Sequence, residues 1–177
     1  ARGLCCRNLV AHWTFDEPSG LTVGDSSPAE NHGTIQSEEG ASWVPGVLGG
    51  ALMLDSGAEV SVPNASSLEV GMTYSVATWF KATEGPGGYL VDFSNLTNSA
   101  IRFDNTRLYV VAGNTLSSSW SSHYAAKAMA TFPLEEWHHL VAVVSGTSLW
   151  IYIDGVLDAG RIVYPYNASN GNSPLIL

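Results

Sequence analysis

Residues 25–33 run Asp-Ser-Ser-Pro-Ala-Glu-Asn-His-Gly, which gathers two carboxylates, an amide, an imidazole and a glycine within nine residues. Three chemistries use such a set: an oxygen-rich loop for a hard cation, an acid–base cluster, or a turn in which Asp and Asn side chains bond the local backbone. The spacing does not follow an EF-hand, which needs oxygen ligands at alternate positions and a glycine at the sixth. Zinc is not expected either, since it wants three or four converging His, Cys or carboxylate ligands. His138 and His139 are neighbours that point to opposite faces of a strand, and His12 and His123 stand alone.

Catalysis has no visible machinery. The adjacent pairs Asp16-Glu17 and Glu135-Glu136 diverge on a strand. No Gly-x-Ser-x-Gly elbow, cysteine nucleophile context or phosphate loop occurs. Aromatic residues are the other resource, with six Trp and seven Tyr. Trp13, Trp79 and Trp137 sit in hydrophobic strand patterns and are assigned to the core. Trp150 and Tyr152 lie opposite Leu149, Ile151 and Ile153, and Tyr109 lies opposite Leu108 and Val110. Trp120, Tyr124 and Trp43 fall in expected loops. Exposed aromatic faces stack on sugar rings, so Trp150, Tyr152, Tyr109, Trp120 and Tyr124 are the candidate ligand-binding residues.

The elements that must position these residues are strands. Short β-rich runs alternate with Gly, Asn, Ser and Pro, and helical periodicity is nearly absent. Strands are expected at 8–15, 51–55, 58–63, 74–82, 88–94, 99–105, 107–113, 137–145 and 149–153, with another starting at Val156. The pair 51–55 and 58–63 would be joined at Ser56-Gly57, and Asp154-Gly155 reads as a type I′ hairpin turn. The Ser-rich stretch 115–130 reads as a long loop whose AAKAMA could form a helical turn. Such a pattern points to an all-β, two-sheet antiparallel sandwich. One domain spans 9–177, preceded by an arm at 1–8.

The chain has 177 residues and a formal net charge of −9, with only 13% charged residues. The seven Lys and Arg form no cluster beyond Arg2 and Arg7, which excludes nucleic acid and anionic membrane as expected partners. No apolar run has the length of a membrane span, and the sequence opens without a signal-peptide pattern. Cys5 and Cys6 are adjacent and cannot close a stabilising loop; they are an N-terminal pair outside the core or a link to another chain. Three glycosylation sequons, at Asn64, Asn95 and Asn167, weigh little in a chain this rich in Ser and Asn.

Four blocks carry a resemblance: LVAHWTFDEPSG with the segment from Asp25 to Ile35 that follows it, GGALMLDSGAEVSVP, YSVATWFKA, and EEWHHLVAVVSGTSLWIYIDGVLDAG. Together, from residue 9 to about residue 160, the chain resembles the laminin-G-like jelly rolls of the concanavalin A-like lectin/glucanase superfamily. The resemblance implies a structural calcium in the loop after the first strand, with Asp25 and Asn31 as side-chain ligands, Gly33 giving a carbonyl and Asp16 as a further ligand. The glucanase branch uses carboxylates two apart on one strand face, and this chain lacks that motif. It also lacks the family's final Gly-x-Ile-Asp-Asp/Glu-Val strand, which would leave the first strand, around Leu9 to Phe15, with an open edge. Completion by further polypeptide or by a strand donated from another chain is then expected.

The expected function is a secreted, non-catalytic recognition module at the cell surface or outside the cell, binding glycan or an extracellular protein. A structural subunit of an extracellular assembly, homo-oligomeric or completed by strand exchange, is the alternative. A glycoside hydrolase-like enzyme comes third.

Overall fold

The computed structural model describes residues 8–63, 66–68, 73–83, 88–93, 99–104, 107–111, 125–127, 133–146, 148–163 and 175–177. Every described strand pairing is antiparallel. The only described helical element is a 3-10 turn at Ser66–Leu68. No helix among the described residues is long and apolar enough to cross a membrane. The expected all-β antiparallel class is therefore the one observed. The chain divides into two compact units, Ala1–Leu68 with Pro174–Leu177, and Glu69–Ser173.

In the first unit, β1 (Thr22–Val23) pairs with β2 (Gly33–Ile35), β2 with β5 (Val60–Val62), and β5 with β14 (Leu175–Ile176). Val23, Ile35 and Val60 form the buried centre, and Trp13, Phe15, Ala41, Trp43, Leu52 and Leu177 pack around it. Burying each such aliphatic side chain contributes about 1.5–3 kcal/mol. Gly33 lets the strands close up: a Cβ there would lie 2.6 Å from Val60 Cγ1. β3 (Ala41–Pro45) and β4 (Gly50–Leu54) form a separate hairpin.

Two expectations are corrected here. Residues 51–55 and 58–63 do not pair with each other: β4 joins β3, whereas β5 joins β2 and β14. The turn between them is real, with Ser56 and Gly57 at φ 53° and 80°, but it hands the chain from one pairing to another. Trp43, assigned to a loop, lies on β3, half-buried against the core, with Nε1 donating to Gly20 O at 3.1 Å.

The stretch 8–15 is not a regular strand either. It makes one isolated bridge, Trp13 with Asp25, and Phe15 breaks extension with φ 57°. The final residues do form a strand, closed onto β5 by Val60 N–H to Leu177 O at 2.9 Å and Leu177 N–H to Val60 O at 2.8 Å. The expected regular first strand is thus not the structure of residues 8–15.

The second unit holds two runs of strands. One has the order β13 (Val156–Val163), β12 (Ser148–Ile153), β11 (His138–Ser145), β6 (Thr73–Phe80). The other has the order β7 (Gly88–Phe93), β8 (Ser99–Asp104), β9 (Arg107–Val111), β10 (Ala125–Lys127). β10 lies in the AAKAMA stretch, so a strand on β9 replaces the expected helical turn. Each run buries one face: Phe80, Leu140, Ala142, Val144, Leu149, Ile151 and Ile153 in the first, Val91, Ile101 and Leu108 in the second. Asp154 and Gly155 take φ 50° and 80° between β12 and β13, the two positive values that a type I′ hairpin requires.

Candidate functional site

The 25–33 loop connects β1 to β2, and its centre is the Asp25 carboxylate, 5% exposed. Oδ1 accepts the His12 N–H at 2.7 Å and the Ser27 N–H at 2.8 Å. Oδ2 accepts the Ser27 hydroxyl at 2.7 Å and the Asn31 N–H at 2.8 Å. Burial pushes this carboxyl up, but the bonds from His12, Ser27 and Asn31 more than offset it and hold it below its ordinary value. The Asp25 N–H donates to His32 Nδ1 at 2.9 Å, which fixes the imidazole proton on Nε2.

Asn31, 6% exposed, is used at both ends of its amide. Nδ2 donates to Val10 O at 2.9 Å, and Oδ1 accepts the Ser67 hydroxyl at 2.9 Å. Its own carbonyl accepts Trp13 Nε1 at 2.9 Å. The loop therefore grips residues 10–13 from several sides. Gly33 is buried in the β1–β2 ladder opposite Val23. Asp16 is engaged elsewhere, its Oδ1 accepting the Gly50 N–H at 2.6 Å. Glu17 Oε1 accepts the Gly24 N–H at 2.7 Å, and Glu17 Oε2 is buried with no partner among the described residues. Among the described residues no three His, Cys, Asp or Glu side chains converge as a metal site would require.

The second unit offers a different surface. Side chains alternate along a strand, so on β12 the buried Leu149, Ile151 and Ile153 leave Trp150 and Tyr152 on the other face, half-buried. Tyr152 lies opposite Val141, and Trp150 opposite Val143. Those valines lie opposite Ala77 and Ser75 of β6, and one step further along the same face His139 lies opposite Trp79. The Trp79 and His139 rings are 5.0 Å apart and tilted by 44°. Across β13, Leu157 lies opposite Tyr152 and is 53% exposed. Trp79 is itself 44% exposed.

That exposure corrects the assignment of Trp79 to the core. The alternation in YSVATWF reads equally well in either phase; Phe80, 4% exposed, takes the inward position and turns Trp79 out. The pairing of Trp79 with His139 is the signal that a single strand's pattern lacks. Trp13 does pack on the core of the first unit, and Trp137 is half-buried. Tyr89, 51% exposed, is another exposed aromatic, and the sequence pattern does not single it out. A bulge between Tyr89 and Val91 puts it out of phase with buried Val91. Tyr109 lies on β9 opposite Lys127 and Arg102. Trp120, Tyr124, Cys5 and Cys6 lie outside the described residues.

A hairpin clamp sits at one end of this sheet. Asp154 Oδ1 accepts the His139 N–H at 2.8 Å, and Oδ2 meets His138 Nδ1 at 2.9 Å. The His138 contact, then the His139 N–H, hold the Asp154 carboxyl below its ordinary value.

An antiparallel jelly-roll sandwich with an aromatic outer sheet face defines a class, and the comparisons give the family. The model of the concanavalin A-like lectin/glucanases superfamily, Laminin_G_3, matches residues 54–177. The chain belongs to that superfamily. The matched span begins after the 25–33 loop. No curated protein matches the chain. Among solved structures, the chain is similar to domain 4 of AbnA, a GH43 extracellular arabinanase from Geobacillus stearothermophilus, in complex with arabinotriose. The TM-score is 0.69 and the identity 22%, over 95% of this chain and 82% of that one. It is also similar to the binding domain of botulinum neurotoxin DC in complex with SialylT, with a TM-score of 0.60 and 14% identity. That match spans 88% of this chain but only 42% of the toxin domain. An S-layer domain-containing protein from Clostridium thermocellum is similar at a TM-score of 0.54 and 18% identity, over 92% of this chain and 73% of that one. At these identities the likeness is one of fold.

Proposed function

We propose that this chain is a non-catalytic carbohydrate-binding module that works outside the cell and takes its glycan on the outer face of the β6–β11–β12–β13 sheet. The observation that carries the reading is the exposed Trp79, in tilted ring contact with His139 on the same face as Trp150 and Tyr152. A sugar ring has an apolar C–H face and a polar rim. An exposed indole supports the first, and ring N–H, imidazole and phenol groups at its border serve the second. Valines between the aromatics, Val141 and Val143, keep the floor flat and apolar. Superfamily membership supports the same reading, as does the lack of an i, i+2 carboxylate motif in the sequence.

The arabinotriose complex of the similarly folded arabinanase domain makes arabinotriose the first ligand to test. Titration calorimetry with arabinotriose and affinity electrophoresis in gels containing soluble plant and bacterial polysaccharides should find at least one binder. Trp79→Ala should weaken that binding about tenfold or more, as loss of a central aromatic anchor does. Sugar binding that survives both Trp79→Ala and Tyr152→Ala would move the site off this face. Release of reducing sugar from the bound polysaccharide would overturn the non-catalytic part.

A further inference from the structure

We infer that Asp25 and Asn31 form a hydrogen-bonded clasp that fastens residues 10–13 to the β1–β2 loop, and that no calcium ion is held through them. A carboxylate offers about four lone-pair positions. Asp25 has all four occupied, each by an N–H or O–H at 2.7–2.8 Å. Donors turn their positive ends toward the oxygen they serve. A calcium ion needs the reverse: six to eight oxygens turned toward it at about 2.3–2.6 Å.

The Asn31 oxygens and the carbonyls of Val10 and His12 beside them also accept bonds already. Asn31 Oδ1 accepts from Ser67, Asn31 O from Trp13 and Val10 O from Asn31 Nδ2. His12 O accepts the Ser26 N–H at 2.9 Å. Asp16, the remaining carboxylate the resemblance offered, is bonded to Gly50 N–H instead. A cation at Asp25 would therefore have to displace donors that hold buried backbone, and each such donor would lose its partner. The clasp also explains how residues 10–13 are held without a strand ladder. His12 N–H, His12 O and Val10 O, which a neighbouring strand would otherwise satisfy, are met by Asp25, Ser26 and Asn31.

The test compares the wild-type chain and Asp25→Asn, each in excess EDTA and in millimolar calcium. Wild-type melting temperature should be the same in both buffers, and metal analysis of the purified protein should find calcium far below one per chain. Asp25→Asn keeps one acceptor oxygen but sets an NH2 against the donors at the other, so the clasp should open and the amides of His12, Ser27 and Asn31 should lose protection from hydrogen exchange by roughly tenfold to a hundredfold, again equally in both buffers. A wild-type melting temperature that falls in EDTA, with the difference erased by Asp25→Asn, would overturn the inference. So would near-stoichiometric calcium in the wild-type protein whose removal exposes those three amides. If Asp25→Asn does not fold, the wild-type comparison decides alone.

Discussion

The 25–33 loop and the outer face of the β6–β11–β12–β13 sheet are made of opposite materials and end in opposite states. The loop is rich in groups that could do chemistry, and nearly all of them are occupied. Asp25 has four donors, Asn31 has four partners, and the His32 ring accepts a backbone N–H. The sheet face carries residues of a kind that fills cores, yet Trp79 and Leu157 are about half exposed. Availability is decided by saturation and not by residue type: a polar group whose bonds are all made has nothing left to offer, whereas an apolar ring in water gains by being covered.

The difference predicts where substitutions should hurt. Asp25→Ala removes an acceptor from four donors at once, three of them in buried bonds from Ser27 and Asn31, and unsatisfied buried donors cost about 1–3 kcal/mol each, though not additively. We expect a stability loss of about 3 kcal/mol in urea denaturation. A loss under about 1 kcal/mol would make the loop an ordinary surface turn. Gly33→Ala should follow at about 2 kcal/mol, because its Cβ would meet Val60 Cγ1 at 2.6 Å and Val62 Cγ2 at 3.3 Å, and both valines are 0% exposed. Trp79→Ala should leave stability within about 1 kcal/mol while weakening the ligand. Were it to cost the roughly 3–5 kcal/mol of a core aromatic, the face would be structural and the comparison would fail.

Much of the second unit is legible in the sequence, because its strands are long, local and joined by turns with strict chemistry. The expected strands 88–94, 99–105 and 107–113 appear as β7, β8 and β9, and the hairpin at Asp154-Gly155 has the backbone its residues demand. The first unit is less legible. β1, β2 and β14 have two or three residues each, too few for a period to show, and β2 and β14 are placed by β5, remote from both in the chain. Residues 8–15 look like a strand because Leu9, Ala11, Trp13 and Phe15 alternate. Their backbone is held instead by side chains from residues 25–31, which no periodicity reveals. Asp25 is legible as special but not in its role, since the same residue type serves a cation or a clasp. Trp79 is legible as an aromatic on a strand, but its phase is set by Phe80 and by a partner strand far along the chain, at His138–Ser145.

The smallest expected effect is the sharpest test of the comparison, because it keeps the chemistry and changes only the burial. Asp154, like Asp25, accepts a backbone N–H at 2.8 Å and lies below its ordinary pKa. Its side chain, however, is 50% exposed, and water competes for both of its bonds. Asp154→Asn keeps a residue that tolerates the positive φ of the turn and can still accept the His139 N–H. Only the charge facing His138 is lost. An exposed pair of this kind contributes about 0–1 kcal/mol, so a shift of that size is expected, several-fold below Asp25→Ala. The sign with pH follows from the depressed carboxyl. Its contribution is fully present above the ordinary value of 3.8 and is lost as the pH falls through the lower folded value. Wild type and Asp154→Asn should therefore differ most near neutral pH and converge in strong acid, read as urea midpoints across an acid series. If the two aspartates gave equal losses, burial would not be what separates the clasp from the hairpin turn.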